Sequence, residues 1–173
     1  KQAQEITNDP HILTVSVEKN KPYFNTLGKH NIPGKLIYQP EQHGSAAAIF
    51  LALTFILAKD PQAQVVILPL DDYYKNPEKK ITPYINRISE ELVHNPYKAI
   101  LLAEDPTSLI DKNEHQHQWI DINITSTQTD DTFLPINRLH SKTRVSTAMK
   151  RSKNSALRST GVIISKANLL WKL

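Results

Sequence analysis

Runs of apolar residues broken by proline, glycine and short polar stretches divide this chain into alternating strand-like and helix-like segments. Lys1–Asn8 reads as the end of a helix stopped before Asp9-Pro10, because a residue preceding proline resists helical geometry. His11–Val17 is rich in β-branched residues and predicts a strand. Asn20–Lys29 predicts a short helix ended by Gly28, followed by a turn at Ile32-Pro33-Gly34 and a strand over Lys35–Gln39. Ser45–Lys59 is apolar on nearly every side, with Gly44 or Ser45 as N-cap, which predicts a helix buried against a sheet. Val65–Leu70 is a continuous apolar run, the pattern of a central parallel strand covered on both faces.

Further along, Ile85, Ile88, Leu92 and Val93 recur at helical intervals and predict an amphipathic helix over Ile81–His94. Ala99–Ala103 is another buried strand. Gln118–Thr125 alternates, Trp119, Asp121 and Asn123 opposing Ile120, Ile122 and Ile124, so a half-buried or edge strand is expected. Thr143–Asn154 reads as a basic helix and Gly161–Ser165 as a final strand leading into Ala167–Leu173. Strand, helix and strand between Ile37 and Tyr74 form a βαβ unit, so the expected fold is α/β with a mixed, mostly parallel sheet flanked by helices. In such sheets ligands bind outside the carboxyl ends of the strands, which would put Pro40–Ser45 and Asp71-Asp72 on one rim.

The totals narrow the picture. At 173 residues the chain is long enough for one domain with a sizeable core. The absence of cysteine excludes disulfides and thiolate metal sites, and it fits a cytoplasmic protein. The most apolar stretch, Ala46–Ala58, falls short of the roughly 20 residues that span a bilayer, so no membrane association is expected. The first residue is lysine rather than methionine, which suggests a trimmed N-terminus.

Charge is unevenly placed. After Asp131 there is no acidic residue but nine basic ones, whereas 12 basic and 17 acidic residues precede it, a net of −5 against +9. That asymmetry raises an anionic partner as one reading and a merely solvated basic face as the other. Nucleic acid is the weaker form of the first, since no aromatic residue lies between Phe133 and Trp171 to stack on a base. His115 and His117, two apart on an extended segment, could share a face with Glu114 nearby, but no third metal ligand is evident.

Four segments carry a family resemblance. Pro40-Glu-Gln-His-Gly-Ser-Ala-Ala-Ala-Ile49 resembles the P-x-x-R-N-T-A-P-A-I signature of mannose-1-phosphate guanylyltransferases, within the sugar-nucleotide pyrophosphorylase (nucleotidyltransferase) family. Val65–Asp72 resembles that family's strand ending in P-A-D-H. Ala99–Thr107 resembles its next strand, and Arg158–Leu170 its W-N-S-G segment with the helix beyond. The resemblance implies a single Rossmann-like nucleotidyltransferase domain over 1–173, in which a sugar 1-phosphate attacks the α-phosphate of GTP and releases pyrophosphate. It implies Mg²⁺ as cofactor, with Asp71 as its ligand and a catalytic residue. Arg138 would be a second catalytic, phosphate-neutralising residue. Glu41, His43, Ser45 and Ser159 would line the nucleotide and sugar sites.

The chain also departs from the pattern. The glycine-rich phosphate loop and first strand have no counterpart within it and would lie upstream of Lys1. His43 and Gly44 stand where the family has arginine and asparagine, Gln116–Trp119 where it has glycine-tyrosine-glycine, and Asn137-Arg138-Leu139 where it has glutamate-lysine-proline. Asp71 could instead cap the next turn, and Ser45 could be wholly occupied as a cap. Two readings therefore stand beside the enzyme. One is a non-catalytic nucleotide-sensing or assembly module of the same fold, the other an anion-binding domain using the basic C-terminal segment. Self-association into a homo-oligomer stays open.

Overall fold

The computed structural model describes residues 2–28, 31–70, 81–104, 117–122, 133–143 and 156–172. These belong to two compact units, Lys1–Ile100 with Ile163–Leu173, and Leu101–Val162.

The first unit opens with 3₁₀ turns at Ala3–Glu5 and Asp9–His11 rather than the end of an α-helix. Strand β1 (Leu13–Val17) leads through helix α1 (Lys21–Leu27) to β2 (Lys35–Gln39). Pro22 in the first turn of α1 loses nothing by lacking an N–H, and Gly28 ends the helix at φ 74°. β1 and β2 pair in parallel, Leu13 opposite Lys35 and Val17 opposite Gln39, so their carboxyl ends finish level. Helix α2 (Gly44–Leu57) follows, then β3 (Gln64–Ile67) and helix α3 (Thr82–His94). The 3.6-residue spacing predicted for α3 is realised: Ile85, Ile88 and Leu92 are buried, while Val93 is 68% exposed.

The core of this unit forms where α2 meets the end of the chain. Leu53, Ala167 and Leu170 are buried together, with Ile49, Ile56, Leu57, Val65, Ile67 and Ile163 packed around them. Backbone bonds from Ala167 N–H to Ala63 O (2.9 Å) and from Asn168 N–H to Pro61 O (3.2 Å) hold the short C-terminal helix α4 (Ala167–Leu170) against the turn after α2. Fully burying a leucine such as Leu53 is worth about 1.5–3 kcal/mol.

Strand β7 (Ala156–Lys166) runs through both units, as does β4 (Ala99–Glu104), which pairs with it. In the first unit the C-terminal half of β7 pairs antiparallel with β3, Val65 opposite Ser165 and Ile67 opposite Ile163. In the second, its N-terminal half pairs antiparallel with β5 (His117–Ile122), which pairs antiparallel in turn with β6 (Ile136–Thr143).

The fold is thus mixed α/β, with a small parallel β1–β2 sheet and, among the described pairings, ladders β3–β7, β5–β7 and β5–β6 that are all antiparallel. The expectation of a mostly parallel sheet is corrected. An unbroken apolar run reports burial, not strand direction, so Val65–Leu70 gave no warning that its paired edge faces an antiparallel neighbour. Two further expectations change. α2 is not enclosed: only Leu53 is buried, and Phe50 and Phe55 are 39% and 37% exposed. β5 is no edge, because it pairs with both β6 and β7, and it is not half-buried, because Trp119 and Ile120, on opposite faces, are 0% and 2% exposed.

Candidate functional site

In the first unit the parallel ladder delivers its chemistry to one rim. β1 and β2 end together, and the segment Pro40–Ser45 leaves β2 directly into α2. Glu41, His43 and Ser45 are all exposed there. The carboxylate of Glu41 lies 3.7 Å from Nε2 of His43, with both side chains mostly in solvent, so the contact orients the turn more than it stabilises the fold. His43 occupies the N-cap position, and no side chain caps the helix. That corrects the assignment of Gly44 or Ser45 as N-cap: Ser45 lies inside the first turn, and Gly44 begins the helix at φ 85°. The first-turn N–H groups of a 14-residue helix therefore meet solvent without a side-chain acceptor, the arrangement that favours an anion.

Lys19 joins this rim from the end of β1, its Nζ 3.4 Å from Oε1 of Gln42. The sequence reading passed over it, although Glu18-Lys-Asn-Lys21 directly follows the β1 strand, where the carboxyl-end rule points. Asp71 and Asp72, expected on the same rim, lie outside the described residues, as do Glu114 and His115. Among the described residues no group of three or more His, Asp or Glu is placed to hold a metal ion.

The second unit holds Arg138 and Ser159. Directly opposed residues of an antiparallel ladder share a face, so Trp119 lies with His140 on one side and Arg158 on the other, and Asp121 lies with Arg138. His140 Nε2 is 2.7 Å from Asp121 Oδ2, and Arg158 Nη2 donates to Glu104 Oε2 at 2.8 Å. The exposed guanidinium of Arg138 thus stands beside a half-buried carboxylate–imidazole pair, a surface able to bind phosphate or sugar hydroxyls. Ser159 follows Arg158 and so faces the other way, where its Oγ accepts the Gly161 N–H at 3.2 Å. The structure does not bring Ser159 onto the Arg138 face. The cluster escaped the sequence reading because Asp121 and His140 are 19 residues apart and become neighbours only through the β5–β6 register.

No family model and no curated protein matches the sequence. Solved structures do. A crystal structure described as mannose-1-phosphate geranyltransferase from Thermus thermophilus is similar at a TM-score of 0.75 over 99% of this chain, with 12% identity. A mannose-6-phosphate isomerase from Helicobacter pylori is similar at a TM-score of 0.62 over 91% of the chain, with 21% identity. The chain spans 47% and 56% of the lengths of those two proteins. Likeness at such identities establishes a shared fold. Among the described residues no helix is long and apolar enough to cross a membrane.

Proposed function

We propose that this chain is the nucleotide-binding part of a nucleotidyltransferase that joins a sugar 1-phosphate to GTP, with a mannose phosphate as the sugar substrate. One observation carries the reading. The turn with the signature-like sequence, Pro40–Ser45, emerges from the carboxyl end of a parallel strand into a helix whose first-turn N–H groups are exposed and lack a side-chain cap. The fold similarity to a mannose-phosphate enzyme supports it.

In this proposal the amides of the first turn of α2, with Ser45, hold nucleotide oxygens, and Glu41 and His43 border the base or ribose. Within the second unit, Arg138 is the proposed phosphate-neutralising cation, and Ser159, on the opposite face of the sheet, takes no part in that contact. The sugar phosphate oxygen attacks the α-phosphorus and pyrophosphate departs, so the protein supplies positioning and charge neutralisation without a covalent nucleophile. Mg²⁺ is the proposed cofactor and Asp71 its proposed ligand; bound there, it would offset phosphate charge. The cytoplasm, where GTP and sugar phosphates are plentiful, is the proposed location.

The test is calorimetric titration with GTP, ATP and GDP-mannose in Mg²⁺, followed by a pyrophosphate-release assay. Saturable heat with GTP and GDP-mannose is expected, and no heat with any nucleotide would overturn the proposal. The departures at His43-Gly44 and Asn137–Leu139 favour, as a second reading, a module that binds without turnover. Binding with no pyrophosphate released would establish that one.

A further inference from the structure

Among the described residues three polar side chains are buried: Gln39, Thr160 and Ser165. Thr160 donates its hydroxyl to Leu102 O at 2.6 Å, and Ser165 donates to Lys98 O at 2.9 Å. Gln39, only 7% exposed, has no side-chain hydrogen bond among the described residues. Burying an amide without a partner is unfavourable, so this one calls for a polar occupant.

The strand register places that amide. Residues 35, 37 and 39 share one face of β2. On that face the Lys35 ammonium lies 4.2 Å from the ring centroid of Phe55 in α2. Four residues along the strand is about 13 Å. At about 1.5 Å per residue, the same distance along α2 is roughly nine residues, which leads from Phe55 back to Ala46. The short connection from Gln39 to Gly44 turns α2 back along β2, so Gln39 stands abreast of the first turn. That turn opens a 14-residue helix whose leading N–H groups no side chain caps.

Among the described residues the charges of this rim leave one cation over. Glu18 pairs with Lys21 at 3.1 Å, and Glu41 lies 3.7 Å from His43. Lys19 is exposed, and its contact is neutral, the Gln42 amide oxygen at 3.4 Å. Val17 and Gln39 end their strands level, which is how a lysine just past β1 meets the turn just past β2. A lysine ammonium binds phosphate as a point charge, without the planar geometry a guanidinium needs. The long contact to Gln42 leaves it free to turn toward one.

We propose that Lys19 is a binding residue of the nucleotide site, its ammonium holding a phosphate oxygen of the nucleotide beside the first turn of α2. The inference rests on the nucleotide reading and adds to it a cation that comes from the end of β1 rather than from the turn Pro40–Ser45. Helix amides, the buried Gln39 amide and this ammonium are all donors, so together they favour an anionic, oxygen-rich ligand.

The test is calorimetric titration of GTP, without Mg²⁺, into the wild-type protein and into Lys19→Gln and Lys19→Arg. Each is measured at about 0.1 M and about 1 M salt, between which the screening length falls from ~10 Å to ~3 Å. At the lower salt Lys19→Gln should bind GTP about tenfold more weakly, the size of one charge-assisted hydrogen bond, and Lys19→Arg within about threefold of wild type. At the higher salt the deficit of Lys19→Gln should shrink to about threefold or less. Unchanged affinity in Lys19→Gln overturns the assignment. So does a deficit that ignores salt, or one that Lys19→Arg shares, since either would show that Lys19 shapes the turn rather than meeting a phosphate. Any of these with GTP bound by the wild type leaves the nucleotide reading standing. No binding by the wild type removes that reading and this assignment together.

Discussion

His140 and Asp121 sit diagonally across the β5–β6 ladder, Nε2 of one 2.7 Å from Oδ2 of the other, and both side chains are largely shielded from solvent. Arg138, directly opposite Asp121 in register, is exposed instead. The sheet thus buries a carboxylate beside Trp119 by giving it an imidazole partner and leaves the guanidinium for other use. Truncating one partner strands the other in a low-polarity site at a cost of about 1–3 kcal/mol. Urea unfolding of His140→Ala and Asp121→Asn should each show a loss of that size, with the double variant losing less than the sum. Losses near zero would show the pair to be incidental.

Gly34 and Gly28 should respond differently to the same change. Both have positive φ, at 70° and 74°. A Cβ at Gly28 meets open space, whereas one at Gly34 overlaps the carbonyl oxygen of Ile12. That oxygen accepts the Lys35 N–H at 2.9 Å, the bond that starts the β1–β2 ladder. Gly28→Ala should cost about 1–3 kcal/mol, because φ 74° with ψ 144° is backbone that residues other than glycine rarely adopt, with no overlap added to it. Gly34→Ala should cost more, because the ladder must shift, and thermal unfolding of the two variants compares them directly.

Glu91 titrates below its ordinary value of 4.5, chiefly because Lys98 donates a hydrogen bond to its carboxylate at 2.7 Å, with Asn95 adding a second at 2.8 Å. A folded-state pKa below the unfolded one stabilises the fold above the unfolded value, and that contribution disappears as pH falls through the folded value. Lys98→Met should therefore raise the Glu91 pKa and remove a small stability increment at neutral pH, but not in strong acid. Side-chain carboxyl NMR titration checks the first expectation, and unfolding at about pH 7 and about pH 2, either side of the carboxylate range, checks the second.

Site substitutions should rank by charge. Arg138→Ala removes the cation proposed to neutralise phosphate and, on that proposal, should weaken GTP binding by about 1.5–3 kcal/mol, on the order of ten- to a hundredfold. Ser45→Ala removes a neutral hydroxyl and should cost about 0.5–1.5 kcal/mol. Asp71→Asn should abolish the enhancement of GTP binding by Mg²⁺ while leaving Mg²⁺-free binding nearly unchanged. Isothermal titration of each variant with GTP, with and without Mg²⁺, decides all three.

Much of the element order was legible because it rests on local patterns. Pro22 and Gly28 bracket α1, Asp60-Pro61 follows α2, and the Ile85–Ile88–Leu92 spacing marks α3. Pairing was not legible. Ile136–Thr143 carries Asn137, Arg138, His140 and Lys142 with Ile136 and Leu139 exposed, so nothing in its hydrophobicity marks a strand; backbone bonds to β5 make it one. The first residues of β7 were missed for the same reason. Of the site, the turn Glu41–Ser45 could be read from the carboxyl-end rule, whereas the Asp121–His140–Arg158–Glu104 cluster depends on strand registers that no sequence spacing encodes.

The central claim is that the exposed first turn of α2 receives nucleotide. It is tested most directly by following backbone amide resonances during titration with GTP in Mg²⁺. The account predicts saturable shifts concentrated at Gly44, Ser45 and Ala46, reproduced by GDP-mannose. Saturable binding that leaves those amides unmoved, or no binding at all, would contradict it.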